Sequence, residues 1–144
     1  MINIKYPKFD FKIKKEDNKE IIYDEIRRRW VALTPEEWVR QNFIQYLIQT
    51  KKYPSSLIAV EKEIKVGEQK KRFDVVVYKD SLPWLIVECK QMNVSIQGNV
   101  LSQVLAYNSK ITAHYIALTN GNTTFLWHII LGNIYEVNSF PDWK

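Results

Sequence analysis

The sequence predicts an α/β domain, on three observations. A helix-start signal stands at Thr34-Pro35-Glu36-Glu37, three segments rich in β-branched and aromatic residues follow it, and a second helical stripe precedes three more strand-like segments. No repeat, Gly/Ser linker or Pro-rich stretch divides the chain, which holds only four glycines and five prolines in 144 residues. One domain over residues 1–144 is therefore expected, with 46% hydrophobic residues to build its core.

The first twenty residues are Lys-rich and irregular, and are expected to be a loosely packed arm or edge element. Thr34 then serves as N-cap, Pro35 occupies the first helical position, and Glu37 is the reciprocal capping-box partner. The helix runs to about Lys51. Its apolar residues Val39, Phe43, Tyr46 and Leu47 recur at spacings of three and four, and counting back from Val39 puts Glu36 on the same inward stripe, with Glu37 to one side.

Strands are predicted at Leu57 to Val66, Arg72 to Tyr78 and Trp84 to Lys90. Short polar turns at residues 67–70 and 79–83 make them an antiparallel meander. Ile96 to about Ser109 carries Leu101, Val104, Leu105 and Asn108 on a helical stripe. Tyr115 to Thr119 returns as a strand, Asn120-Gly121-Asn122 turns the chain, and Thr124 to Ile130 and Ile134 to Val137 complete the pattern.

Composition narrows the chemistry. One cysteine, Cys89, excludes an internal disulfide framework, and two histidines with one cysteine are too few for an ordinary zinc site, so a bound metal needs oxygen ligands. No apolar run approaches the roughly 18 residues that span a bilayer, and Met1-Ile2-Asn3-Ile4-Lys5 lacks the apolar stretch of a signal peptide. A cytoplasmic protein with no membrane partner is expected. The formal net charge of +5 favours polyanions without singling out nucleic acid. Arg27-Arg28-Arg29, Lys51-Lys52 and Lys70-Lys71-Arg72 suit phosphates or a solvated face alike.

A turn symmetric about Ser81 sets Tyr78 opposite Trp84, Val76 opposite Ile86 and Asp74 opposite Glu88. Two acids facing each other in apolar strands call for compensation. Lys90, two residues beyond Glu88 on the same face, places an ammonium beside them, while Cys89 points the other way. Two carboxylates and a lysine at a strand end suit a hard divalent cation and the hydrolysis of a phosphodiester. An ion-paired strand, with either acid bridged to Lys90 or Arg72, is the structural alternative.

Asp74, thirteen intervening residues and then Glu88-Cys89-Lys90 resemble the D-(x)n-(D/E)-x-K signature of the restriction-endonuclease-like PD-(D/E)XK nucleases. Together with Thr34 to Gln41, Arg72-Phe73-Asp74 and Gln103 to Tyr107, taken in that order, they are similar to the N-terminal nuclease domain of type I restriction enzyme R subunits. The resemblance covers roughly Leu33 to Gly121. It implies a central mixed β-sheet flanked by helices, and a magnesium-dependent DNA endonuclease in which manganese can substitute. Asp74 and Glu88 would be the metal-binding acids, the Cys89 carbonyl a further ligand and Lys90 the catalytic lysine. Glu36, with Glu37 as the alternative, would be the acid of the first helix, and Gln103 and Tyr107 the Q-x-x-x-Y element that holds the lysine or the DNA.

Two departures stand out. Phe73 precedes Asp74 where the general signature has proline, and the chain has no G-x-x-x-x-G-K-[ST] loop, so the ATP-driven motor of such subunits is not expected in it. The implied partners are DNA and other restriction-system or motor subunits, with a homodimer as one way to cut two strands. The competing functions are an inactive nuclease fold that binds nucleic acid or partner subunits, and a protein-interaction domain that exposes Trp30, Trp127 and Trp143 in one patch.

Overall fold

Segments rich in β-branched and aromatic residues from Ile58 onward form a six-stranded sheet, seen in a computed structural model that describes residues 1–96, 106 and 110–144. The chain order is β1 (Ile13–Glu16), β2 (Lys19–Asp24), β3 (Arg29–Ala32), helix α1 (Pro35–Gln45), β4 (Ile58–Val66), β5 (Gln69–Lys79), β6 (Leu82–Cys89), β7 (Tyr115–Thr119), β8 (Thr124–Ile130) and β9 (Asn133–Val137). A π-helical turn at Tyr46–Thr50 prolongs α1, close to the predicted helix end. The strands of the large sheet lie in sequence order from β4 to β9. All neighbours are antiparallel except β6 and β7, which run parallel. The sheet is therefore mixed, and the fold is α/β as the sequence predicts.

Parallel strands need a crossover connection. The segment between β6 and β7 supplies it, and the helix predicted from Ile96 to Ser109 falls there. Apart from Ile96 and Ala106, that predicted stretch, Gln103 and Tyr107 included, lies outside the described residues.

The sheet buries both faces. Val75, Val77, Leu85, Val87 and Cys89 pack with Val39, Phe43 and Ile44 of α1 and Leu47 of the turn that prolongs it. On the opposite face Val76, Ile86, Ile116, Leu118 and Trp127 form a second cluster with Phe73 and Ile96. Full burial of such side chains contributes roughly 1.5–3 kcal/mol each, which holds the central strands together.

The N-terminal segment contributes a second sheet, of order β1-β2-β3. Its first strand is exposed throughout, yet Ile22 and Asp24 of β2 are fully buried. Earlier still, Ile2 pairs with Thr124 and Ile2 and Phe9 are buried. The strands over residues 19–32 carried too little alternation to be predicted.

The turn between β5 and β6 is tighter than expected. Asp80 and Ser81 both have positive φ, 53° and 66°, the geometry of a two-residue hairpin turn. The register predicted about Ser81 holds from Val75–Val87 to Val77–Leu85, but a bulge follows Val77 and Tyr78 pairs with Pro83 instead of Trp84. The tryptophan patch is not formed either. Trp127 is buried, Trp143 packs on Tyr53 and Trp84, and Trp30 lies under Lys14 on the small sheet. No helix among the described residues is long and apolar enough to cross a membrane.

Candidate active site

Asp74 stands where the β5 alternation breaks. Phe73 belongs to one core cluster and Val75 to the other, so residues two apart face opposite sides across it. The neighbouring strand gives the reason. Val60 pairs with Val75 and Lys62 with Phe73, and Glu61 between them has φ of +53°, a left-handed conformation costly for a residue with a side chain. The kink lets α1 reach the Asp74 carboxylate.

The β5–β6 register, carried one residue past Val75–Val87, sets Asp74 opposite Glu88. At this point Asp74 Oδ2 accepts the Cys89 backbone N–H at 2.8 Å. Asp74 Oδ1 accepts from Arg40 Nη2 at 3.0 Å. The cation that compensates Asp74 is thus Arg40 of the helix, rather than Lys90 or Arg72 on the strands.

Glu88 is held differently. Its Oε1 is buried and accepts no hydrogen bond from the described residues. Burial, reinforced by the negative charge of Asp74, pushes its carboxyl up to about 7 against an ordinary 4.5, with Lys71 and Lys90 opposing the rise. Lys90 follows β6 directly, its N–H donating to the Thr119 carbonyl at 2.8 Å, and its charge is near enough to Glu88 to favour the ionised carboxylate. The Cys89 side chain faces the α1 core and is 1% exposed, leaving its main chain alone toward the acids.

The raised Glu88 carboxyl makes a signed prediction. Its neutral form is favoured in the fold, so its stabilising contribution is complete below about 4.5 and is lost as pH rises through about 7. In metal-free buffer Glu88→Gln should therefore raise Tm at pH 8, by an amount equivalent to at most about 3 kcal/mol, and the gain should shrink by pH 5. Equal Tm differences at the two pH values would count against this electrostatic account.

The two helix acids exchange the places expected of them. Glu37 is the buried one and Glu36 keeps 46% of its side chain exposed. Thr34 caps the helix through Oγ1, which accepts the Glu37 N–H at 3.0 Å, but the Glu37 carboxylate turns inward instead of back to the cap. Its Oε1 accepts from Arg27 Nη2 at 2.8 Å and Arg40 Nη1 at 3.2 Å, and its Oε2 from Gln41 Nε2 at 3.1 Å. The reason is that α1 is covered on two flanks. Val39, Phe43 and Leu47 meet the large sheet, while Glu37, Arg40 and Gln41 form a second buried flank. Glu36 still borders the site, its Oε1 3.6 Å from Arg40 Nη2, and its charge adds to the rise at Glu88.

The structure thus brings Asp74, Glu88, Cys89, Lys90 and Glu36 together. It adds Arg40, Arg27, Glu61 and Lys71, none of which was singled out from the sequence as a site residue. Glu61 lies 3.4 Å from Arg40 Nη1 and 3.5 Å from Arg27 Nη1. Arg27, grouped with a basic run open to phosphate, is instead consumed by buried carboxylates, its side chain 12% exposed. A visible signal existed for Arg40, four residues after Glu36 on the helix. Arg27 and Glu61 had none, since only tertiary packing gathers them.

Among the described residues no three His, Cys, Asp or Glu side chains converge as a complete metal cluster. The donors nonetheless fit a hard cation. Glu88 Oε1 is a buried carboxylate oxygen with no hydrogen bond among the described residues, near a second carboxylate, and such oxygens are the ligands magnesium takes.

A mixed sheet with a carboxylate pair where its central hairpin opens defines an α/β domain of the restriction-enzyme-related class once its sequence is compared with known families. The model of the type I restriction enzyme R protein N terminus matches residues 35–141, and the chain belongs to that family. No curated protein matches the chain. Among solved structures it is similar to the type IIG restriction endonuclease BpuSI, at 21% identity and a TM-score of 0.44. That likeness covers 62% of this chain and 11% of the endonuclease's chain.

Proposed function

We propose that the chain is a divalent-metal-dependent endodeoxyribonuclease domain that hydrolyses phosphodiester bonds. The observation that carries this reading is the orphaned Glu88 Oε1, buried beside Asp74 and held near two lysine charges. A buried carboxylate oxygen without a hydrogen bond is costly unless a ligand satisfies it.

Asp74, Glu88 and the Cys89 carbonyl would hold magnesium, or manganese in its place. Such an ion neutralises phosphate charge and lowers the pKa of a bound water. The protein's own part is orientation and charge. Arg40 and the Cys89 N–H fix Asp74 from two sides. Lys90, tethered at the strand end, offers its ammonium to a phosphate oxygen and to charge developing there. Glu36 lies open at the rim, and Gln103 and Tyr107 are proposed to steady the lysine or the DNA. DNA is the proposed partner, along with motor or other subunits of a restriction system and a homodimer for two-strand cleavage.

The test is plasmid cleavage by the purified chain with magnesium or manganese, alongside EDTA and Lys90→Ala. Metal-dependent nicking or linearisation is expected, abolished in the variant while DNA affinity stays within about twofold. Cleavage that persists in Lys90→Ala would remove Lys90 from the reaction.

One observation favours a second reading, an inactive nuclease fold that binds nucleic acid or partner subunits. Both Asp74 oxygens already have protein donors. Uncut plasmid together with no magnesium heat in calorimetry would select it, whereas metal binding without cleavage would mean a competent site that needs another subunit.

A further inference from the structure

The stretch that matches the family begins at residue 35, yet the polar chain that reaches Asp74 begins before it. Asp24, wholly buried at the end of β2, accepts the Ile26 and Arg27 N–H groups through Oδ1 at 2.7 and 3.0 Å, closing the turn into β3. Its Oδ2 takes Arg27 Nε. Arg27 Nη2 then donates to Glu37 Oε1, the same oxygen accepts from Arg40 Nη1, and Arg40 Nη2 donates to Asp74. Charges alternate at every link, and no side chain in the series is more than 14% exposed.

Stability alone does not account for such a series. Buried ion pairs often contribute no more than well-packed apolar side chains would. What they supply is direction, because a guanidinium fork gripped on both sides cannot swing. Direction matters most at Asp74. The kink at Glu61 removes the ordinary strand pairing that would hold it, since Val60 pairs with Val75 and Lys62 with Phe73 while the position between them does not pair.

We infer that Arg27 is a positioning residue for the proposed site, fixing the Asp74 carboxylate through Glu37 and Arg40, so that the N-terminal three-stranded sheet is a working part of the centre. The inference rests on reading Asp74 as a site residue and extends the centre beyond the family-matched stretch.

Amide hydrogen exchange on the whole chain tests it without relying on cleavage. The Cys89 N–H, bonded to Asp74, reports how firmly that carboxylate is held, while Val76 and Ile116 report the core. In Arg27→Gln the Cys89 amide should exchange at least about tenfold faster, with Val76 and Ile116 within about twofold of wild type. An unchanged Cys89 rate would overturn the inference, and so would equal acceleration at all three amides, which marks a merely structural role. Should Arg27→Gln not fold, Arg27→Lys takes its place under the same criteria, since a single ammonium cannot serve Asp24 and Glu37 as a fork does. In cleavage, kcat should fall about tenfold with KM within about twofold. If the wild type cuts no DNA, the nuclease reading fails alone, and the Cys89 rate still decides the positioning role.

Discussion

Asp74→Asn is expected to lose metal-dependent cleavage by at least about a thousand-fold, roughly 4 kcal/mol in the barrier, while the chain still folds. The substitution keeps shape and removes charge. An asparagine oxygen can still accept the Cys89 N–H, but its amide nitrogen then meets Arg40 Nη2, donor against donor. That clash should cost about 1–3 kcal/mol of stability, tolerable for an ordinary domain. A second consequence follows at Glu88. The Asp74 charge is one cause of its raised carboxyl, so removing it should bring the Glu88 titration down from about 7 toward its ordinary range. Carboxyl chemical shifts followed against pH check this directly. Residual cleavage above a hundredth of wild type would remove Asp74 from the proposed reaction, and an unmoved Glu88 titration would mean that burial and Glu36 raise it without Asp74.

The second large effect is on folding. Arg40→Met keeps much of the aliphatic bulk and deletes the guanidinium that serves Glu37, Glu61 and Asp74 and lies near Glu36. Glu37 is then left with Arg27 and Gln41, and Asp74 with a single backbone donor. Breaking a buried pair from one side costs about 3–5 kcal/mol because it strands the partner charge, equivalent to a fall in Tm of roughly 10–20 °C for a chain of this size. Adding Asp74→Asn to Arg40→Met should recover part of the loss, since the stranded charge is gone, giving a non-additive cycle. Thermal unfolding of the four proteins measures it. A loss below about 1 kcal/mol would place these groups in the range of solvated surface pairs.

Both predictions turn on a feature the sequence concealed. The D-(x)n-(D/E)-x-K spacing marked Asp74, Glu88 and Lys90, and strand periodicity placed them at one end of a hairpin. Along the strand the nearest cation is Lys90, two residues beyond Glu88, which makes it the expected answer to Asp74. Strand geometry could not foresee a kink at Glu61 that presents Asp74 to a helix thirty-four residues earlier. The helix acids were read in reverse for a related reason. A single apolar stripe implies one buried flank, whereas α1 is buried on two, the second packed with polar groups that have partners only in three dimensions.

The sequence by itself determined what depends on neighbours along the chain. It set the α/β class, the Thr34 cap, the boundaries of the six strands of the large sheet to within a few residues, the central hairpin register from Val75 to Val77, and family membership through ordered motifs. Local propensity, period and turn chemistry act over a few residues and are written there directly. Only the tertiary structure decided that Glu37 rather than Glu36 is buried, that Arg40 rather than Lys90 pairs with Asp74, and that one oxygen of Glu88 receives no hydrogen bond from the described residues. These outcomes depend on which charges are brought together and which are shut off from water, and both are properties of the packed chain.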